Sequence, residues 1–115
     1  MITHQYSSKS GGILGVTGMY KSCVLRLPRC GSLLIGRDVS SCDIVISKDC
    51  ERISRTHCQV EYDMVNGYYN IKDMSKNGMI IQYRNEKEFI NNQSARAFSG
   101  SMICLGDSRN SFKLL

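Results

Sequence analysis

Hydrophobic positions along this chain recur with a period of two, in short bursts broken by Gly, Asn, Ser and Asp. Such alternation puts one face of an extended strand against a core and the other in solvent. Ile13 to Thr17 reads as a first strand. Lys21, Cys23, Leu25 and Leu27 then alternate with Tyr20, Ser22, Val24 and Arg26, in a half-buried strand that stops at Pro28. Ser32 to Ile35 runs into Gly36, and Asp43 to Ile46 is short and β-branched. A hairpin follows, with Cys58, Val60 and Tyr62 placed inward and His57, Gln59 and Glu61 outward. Its Asn66-Gly67 turn is suited to positive φ, and Tyr69 and Ile71 continue the inward face. Met79 to Tyr83, a weak Phe89-Ile90 stretch, Ala95 to Phe98, Met102 to Leu105 and Ser111 to Leu115 complete about eleven strands. No window of helical period competes. Short strands separated by turn residues predict an all-β sandwich or barrel, with loops gathered at the end of a rigid scaffold.

At 115 residues the chain is long enough for one domain with a real core. Its 42% hydrophobic and 22% charged residues are ordinary for a globular protein and argue against disorder. No apolar run approaches the roughly 18 residues that span a membrane, and the first twelve residues lack the apolar middle of a signal peptide. Met1 to Gly12 reads as a flexible tail or linker end, with the domain over 13–115. A polar start and an end inside a final strand point to a piece of a larger protein.

The six cysteines, at 23, 30, 42, 50, 58 and 104, include no Cys-x-x-Cys pair that would suggest zinc or a redox dithiol. Cys23 and Cys58 fall in phase with apolar neighbours, whereas Cys30, Cys42 and Cys50 fall in loops. We read them as reduced thiols in a cytoplasmic, reducing compartment, with a disulfide framework as the alternative. The net charge of +5 is spread along the chain. Between Gly36 and His57 the basic residues Arg37, Lys48, Arg52 and Arg55 are matched by Asp38, Asp43, Asp49 and Glu51, which argues against a nucleic-acid surface. No membrane partner, metal or cofactor is expected.

Three segments stand out at strand ends: Gly36-Arg37, Ile53-Ser54-Arg55-Thr56-His57, and Asp73-Met74-Ser75-Lys76-Asn77-Gly78. Converging, they would offer a guanidinium, a hydroxyl beside a second guanidinium, and an amide beside an ammonium. That donor set suits a tetrahedral dianion. In this order the three motifs resemble the forkhead-associated (FHA) domain, over roughly Ile13 to Leu115. The resemblance implies a two-sheet β-sandwich of mostly antiparallel strands that binds phosphothreonine-containing protein segments and catalyses nothing. It implies a phosphate site of Arg37 and Ser54, with Asn77 on the peptide backbone. Beside these, Arg55 and Lys76 can add cationic contacts to the phosphate, and Arg52, two residues before Ser54 in a loop read as extended, is placed to read a downstream side chain of the peptide. Gly36, His57 and Gly78 would support the site. The bland alternatives are an Arg37 paired with Asp38 or Asp43, a Ser54 that merely caps its loop, and an Arg52 paired with Glu51 or Asp49. Two residues depart from the family pattern: Lys76 stands where a hydroxyl is common, and Met79 where Thr is usual. Two rival readings remain, a phosphate-independent assembly domain with the same fold and a hydrolase built on Ser54 and His57.

Overall fold

The structure, a computed structural model, describes residues 11–28 and 31–115. Eleven strands form, at the places where the alternation lies: β1 (Gly12–Thr17), β2 (Val24–Arg26), β3 (Ser32–Gly36), β4 (Ile44–Val45), β5 (Cys58–Asp63), β6 (Tyr68–Asp73), β7 (Met79–Tyr83), β8 (Glu86–Ile90), β9 (Ser94–Ala97), β10 (Met102–Leu105) and β11 (Ser111–Leu114). They build a six-stranded sheet ordered β2-β1-β11-β10-β7-β8 and a five-stranded sheet ordered β4-β3-β5-β6-β9. Strand pairs are antiparallel except β3 with β4, which run parallel. No strand-to-strand helix occurs among the described residues, and no helix is long and apolar enough to cross a membrane.

The inward faces meet in one core. Ile13, Phe112, Ile103 and Ile81 of the larger sheet face Ile35, Val60, Ile71 and Tyr69 of the smaller, all buried. Each such side chain contributes about 1.5–3 kcal/mol by leaving water. Register fixes the faces, since a one-residue slip along β5 would bring Gln59 and Glu61 into the core. Asp63 closes the β5–β6 hairpin by accepting the N–H groups of Val65 and Asn66 at 2.9 and 3.0 Å. Of the Asn66-Gly67 pair, only Gly67 takes positive φ, at 76°.

Three details differ from the sequence pattern. The second strand is short, because Tyr20 to Cys23 form a turn in which Ser22 adopts a φ of 70°. That turn packs on Gly15, where a Cβ would fall 1.8 Å from the Tyr20 carbonyl oxygen, and it leaves Cys23 exposed while Tyr20 joins the core. His57, expected outward, is fully buried: it lies just before β5, where the chain has not yet entered the alternation. The strand suspected around Phe89 covers Glu86–Ile90, and only Ile90 is buried, as befits an edge. Cys42, Cys50, Cys58 and Cys104 are free thiols like Cys23, and burial pushes the Cys58 thiol strongly up. The tail expected over 1–12 lies outside the described residues except Gly11 and Gly12, as does Cys30.

The start of β1 and the residue after β11 meet at Tyr69. Its hydroxyl accepts the Gly12 N–H at 2.9 Å and lies within 2.6 Å of the Leu115 carbonyl and 3.0 Å of the Gly12 carbonyl, to one of which it donates. Tyr69→Phe keeps the ring and strips the buried Gly12 N–H of its hydroxyl partner, while the Gly12 and Leu115 carbonyls keep the Leu115 N–H and Ser99 hydroxyl. The expected loss is about 1–3 kcal/mol, read as a lower urea midpoint at unchanged slope.

Candidate functional site

The loops after β3, before β5 and after β6 lie at one end of the sandwich and are tied to one another directly. The N–H groups of Arg37 and Asp38 donate to the carbonyls of Ser54 and Arg55, at 3.2 and 3.0 Å. Met74 N–H donates to the His57 carbonyl at 2.8 Å, and Lys76 N–H to Ser54 Oγ at 3.0 Å. Asn77 Nδ2 donates to the Arg52 carbonyl at 3.0 Å, and Arg52 Nε to the Gly106 carbonyl at 2.9 Å, adding the β10–β11 loop. Gly36 makes the first of these junctions possible. Its φ is not positive, so it is not there for a left-handed turn. A Cβ there would stand 2.0 Å from the Arg55 carbonyl oxygen, and only glycine lets the strands approach so closely.

Beneath the loops lies a buried polar cluster. His57 Nδ1 accepts the Ser54 N–H at 3.1 Å, which puts the ring proton on Nε2, donated to the Gly78 carbonyl at 2.9 Å. Asp73 Oδ1 accepts the Ser75 hydroxyl proton at 2.7 Å, and Oδ2 accepts the N–H groups of Ser75 and Asn92 at 3.1 and 2.8 Å. Ser75 Oγ in turn accepts the Gly78 N–H at 2.7 Å. Gly78, at a φ of 77°, is therefore held by both its N–H and its carbonyl. Sequence reasoning assigned no role to Asp73, Ser75 or Asn92. The Asp-x-Ser spacing, which forms an Asx-type turn, was the available signal for the first two; nothing in the sequence marked Asn92.

The side chains named from sequence sit above this cluster. Arg37 pairs with neither Asp38, whose carboxylate accepts from Ser40 and Ser41, nor Asp43, which accepts the Leu34 N–H. Arg37 Nε donates to the Ile53 carbonyl and Nη1 to the Lys48 carbonyl at 3.3 Å, leaving Nη2 without a partner among the described residues. Arg55 and Lys76 are exposed, and their side chains make no hydrogen bond among the described residues. Residues 50–53 form a turn rather than the extended loop assumed for Arg52, whose side chain is drawn toward Gly106. Ser54 Oγ and His57 do not touch: the ring nitrogens are engaged with backbone groups, so no nucleophile–base pair exists. A cavity of about 430 Å³ lies at the far end of β7, around Tyr83, Glu86 and Phe98, and one of about 240 Å³ beside Gly78 and Gly106. Neither includes Arg37 or Ser54.

The FHA domain profile matches residues 33–106, which hold all three motifs. The chain belongs to the FHA domain family. Among solved structures it is similar to the FHA domain of the CT664 protein of Chlamydia trachomatis, with 23% identity, a TM-score of 0.73, and coverage of 91% of this chain and 95% of the other. An FHA domain of an Arabidopsis thaliana hypothetical protein matches at 25% identity and a TM-score of 0.73, covering 92% and 84%. The N-terminal FHA domain of S. cerevisiae Rad53p, solved with a phosphothreonine peptide, matches at 20% identity and a TM-score of 0.69, covering 92% of each chain. Comparison with curated proteins gives no match. At these identities the solved structures establish the fold, a two-sheet all-β sandwich.

In this FHA domain His57 is a brace for the loops. Burial lowers its pKa, outweighing the Gly78 carbonyl and Asp73, 3.8 Å away, which favour the charged ring. The folded state thus binds its proton less readily than the unfolded chain, whose histidine titrates near 6.5. Stability is fully present above about pH 6.5 and falls as pH drops toward the lower folded pKa, because only the unfolded chain gains the proton. The expected results are a His57 ring that titrates by NMR below the ordinary range and a unfolding midpoint that drops between pH 7 and 5. In His57→Gln that pH dependence should be reduced.

Proposed function

We propose that this FHA domain is a phosphopeptide-recognition module that binds phosphothreonine-containing segments of partner proteins, and so couples Ser/Thr kinase activity to assembly. One observation carries the reading: four cations, Arg37, Arg52, Arg55 and Lys76, come from three loops that are hydrogen-bonded to one another, and none forms an ion pair among the described residues. A phosphate carries about −1.5 to −2 charges and three acceptor oxygens, which such a rim can meet without opposing acids. Asp107, whose carboxyl Arg52 helps to hold below its ordinary range, is already paired with Arg109 at 3.0 Å. The complex of the Rad53p domain with a phosphothreonine peptide supports the same reading.

In this reading Arg37 points its free Nη2 edge at the phosphate, Ser54 adds its hydroxyl proton while Oγ still accepts from Lys76 N–H, and Arg55 and Lys76 supply charge. Asn77 meets the peptide backbone and Arg52 selects a downstream side chain. Because the loops are tied to each other before any peptide arrives, little entropy is lost on binding. No covalent step is involved. A phosphate-independent assembly domain is the competing function, and titration with matched phosphorylated and unphosphorylated peptides separates the two. Equal affinity for both would establish the competitor.

Arg37→Ala should weaken phosphothreonine-peptide binding by roughly thirty- to a thousandfold, equivalent to about 2–4 kcal/mol. Arg37→Lys should recover little, because an ammonium cannot keep the Ile53 carbonyl and reach phosphate together. Calorimetric titration checks both variants after thermal melts establish that each is folded. Retention of affinity within threefold by Arg37→Ala would remove Arg37 from the phosphate site.

A matched phosphoserine peptide should bind about fourfold more weakly than phosphothreonine if burial of one methyl, about 0.8 kcal/mol, is all that separates them. A larger ratio would mean that the methyl also orders the peptide, and equal affinities would mean that no recess receives it.

A further inference from the structure

The two outer faces of the sandwich differ in a way that the loop site does not account for. On the five-stranded sheet the outward polar groups satisfy one another across strands: Gln59 Nε2 donates to Ser32 Oγ at 2.8 Å, Asn70 Nδ2 to Glu61 at 3.5 Å, and the Arg96 guanidinium lies 4.8 Å from the centre of the Tyr68 ring. On the six-stranded sheet, pairing register sets Val24, Leu14, Lys113, Met102, Gln82 and Lys87 in one row across all six strands. Beside it runs the row Thr17, Ser111, Cys104, Ile80, Phe89. Val24, Ile80 and Phe89 remain 52%, 37% and 61% exposed.

No carboxylate stands in either row. Glu86 and Glu88, on β8, pair with Tyr83 and Ile81 and so project to the opposite face of their sheet. Lys87 and Lys113, with Arg26 at the β2 edge, form no ion pair among the described residues. The charged side chains of these rows are therefore all cations, set among apolar ones. At the loop-proximal end of the face lies the cavity of about 240 Å³ beside Gly78 and Gly106, walled by Ile80, Gln82, Cys104, Lys87 and Asp107, whose carboxylate is paired with Arg109 at 3.0 Å. It is large enough for a bulky aliphatic or aromatic side chain.

We propose that this outer face is a second protein-docking surface, taking an unphosphorylated acidic segment with large apolar side chains. Its carboxylates meet Lys87 and Lys113, and one apolar side chain enters the cavity beside Ile80. Charge complementarity selects the occupant, since the strands of this face present apolar patches and cations with no carboxylate, and Asp107 in the cavity wall is already paired with Arg109. A lipid surface fits less well. Few cations are present, and each is worth only about 1 kcal/mol near an anionic membrane. The apolar side chains also lie in a flat sheet rather than on a protruding edge.

The test uses a random library of unphosphorylated twelve-residue peptides displayed on phage and panned on the whole chain. Selected peptides should combine Asp or Glu with Leu, Ile or Phe, and should shift the amide resonances of Ile80, Phe89, Cys104 and Lys113. Affinity should fall tenfold or more in the double variant Lys87→Glu, Lys113→Glu, whose side chains are exposed and whose fold a thermal melt checks. Selection of peptides without acids, shifts confined to other surfaces, or indifference to the double variant would overturn the proposal. So would self-association through these residues in sedimentation, or binding to phosphatidylserine vesicles in preference to the peptides. The library carries no phosphate, so failure here leaves the Arg37 site untouched, and failure of that site leaves this face untouched.

Discussion

The buried His57 ring is the interaction on which the loop end depends. One nitrogen accepts the Ser54 N–H and the other donates to the Gly78 carbonyl, so a single side chain spans two loops. Hydrogen bonds between surface loops compete with water and contribute little individually. Placed in the core, the same bonds cannot be exchanged for water, and leaving either backbone group unpaired would cost more than the bond itself yields. Asp73 and Ser75 extend the network to the Gly78 N–H, so the backbone that leads into β7 is gripped from both sides.

The sandwich and the loops divide the work. Ile13, Ile35, Ile71 and Phe112 supply the stability, in a core that does not need the cysteines to be joined. That core lets the loop end carry several cations that form no ion pair among the described residues, an arrangement whose mutual repulsion a softer scaffold would not resist. Arg37 shows the compromise. Part of its guanidinium is spent fastening the 48–53 segment, and only the remainder faces outward. Fixing the side chain in this way lowers the entropy lost when an anion arrives, at the expense of donors.

The charge excess is likewise sorted by location. At the rim it is gathered on loops, where backbone ties hold it. Along the six-stranded sheet it is interspersed with apolar side chains, and along the five-stranded sheet Arg96 lies over the Tyr68 ring while Glu61 accepts from Asn70. A net charge of +5 thus describes no single surface. The two basic surfaces have different chemistry, one hydrogen-bonding and the other largely apolar.

Much of the architecture was legible in the alternation, because a strand that is buried on one face must repeat every two residues, as β5, β6, β7 and β10 do. The three motifs were legible too, since Gly, Asn and Asp at strand ends carry backbone requirements that side-chain chemistry can name. What failed was local phase. Cys23 and His57 look like members of alternating strands, but one sits in a turn forced by the close approach at Gly15 and the other lies a residue before its strand begins. Nor could sequence reveal that Arg37 fastens the 48–53 loop, that Asn92 reaches Asp73, or that Arg52 leans on Gly106. Each of these contacts joins segments far apart in the chain. Periodicity reports which side of its own strand a residue occupies; only tertiary packing decides which distant backbone it meets there.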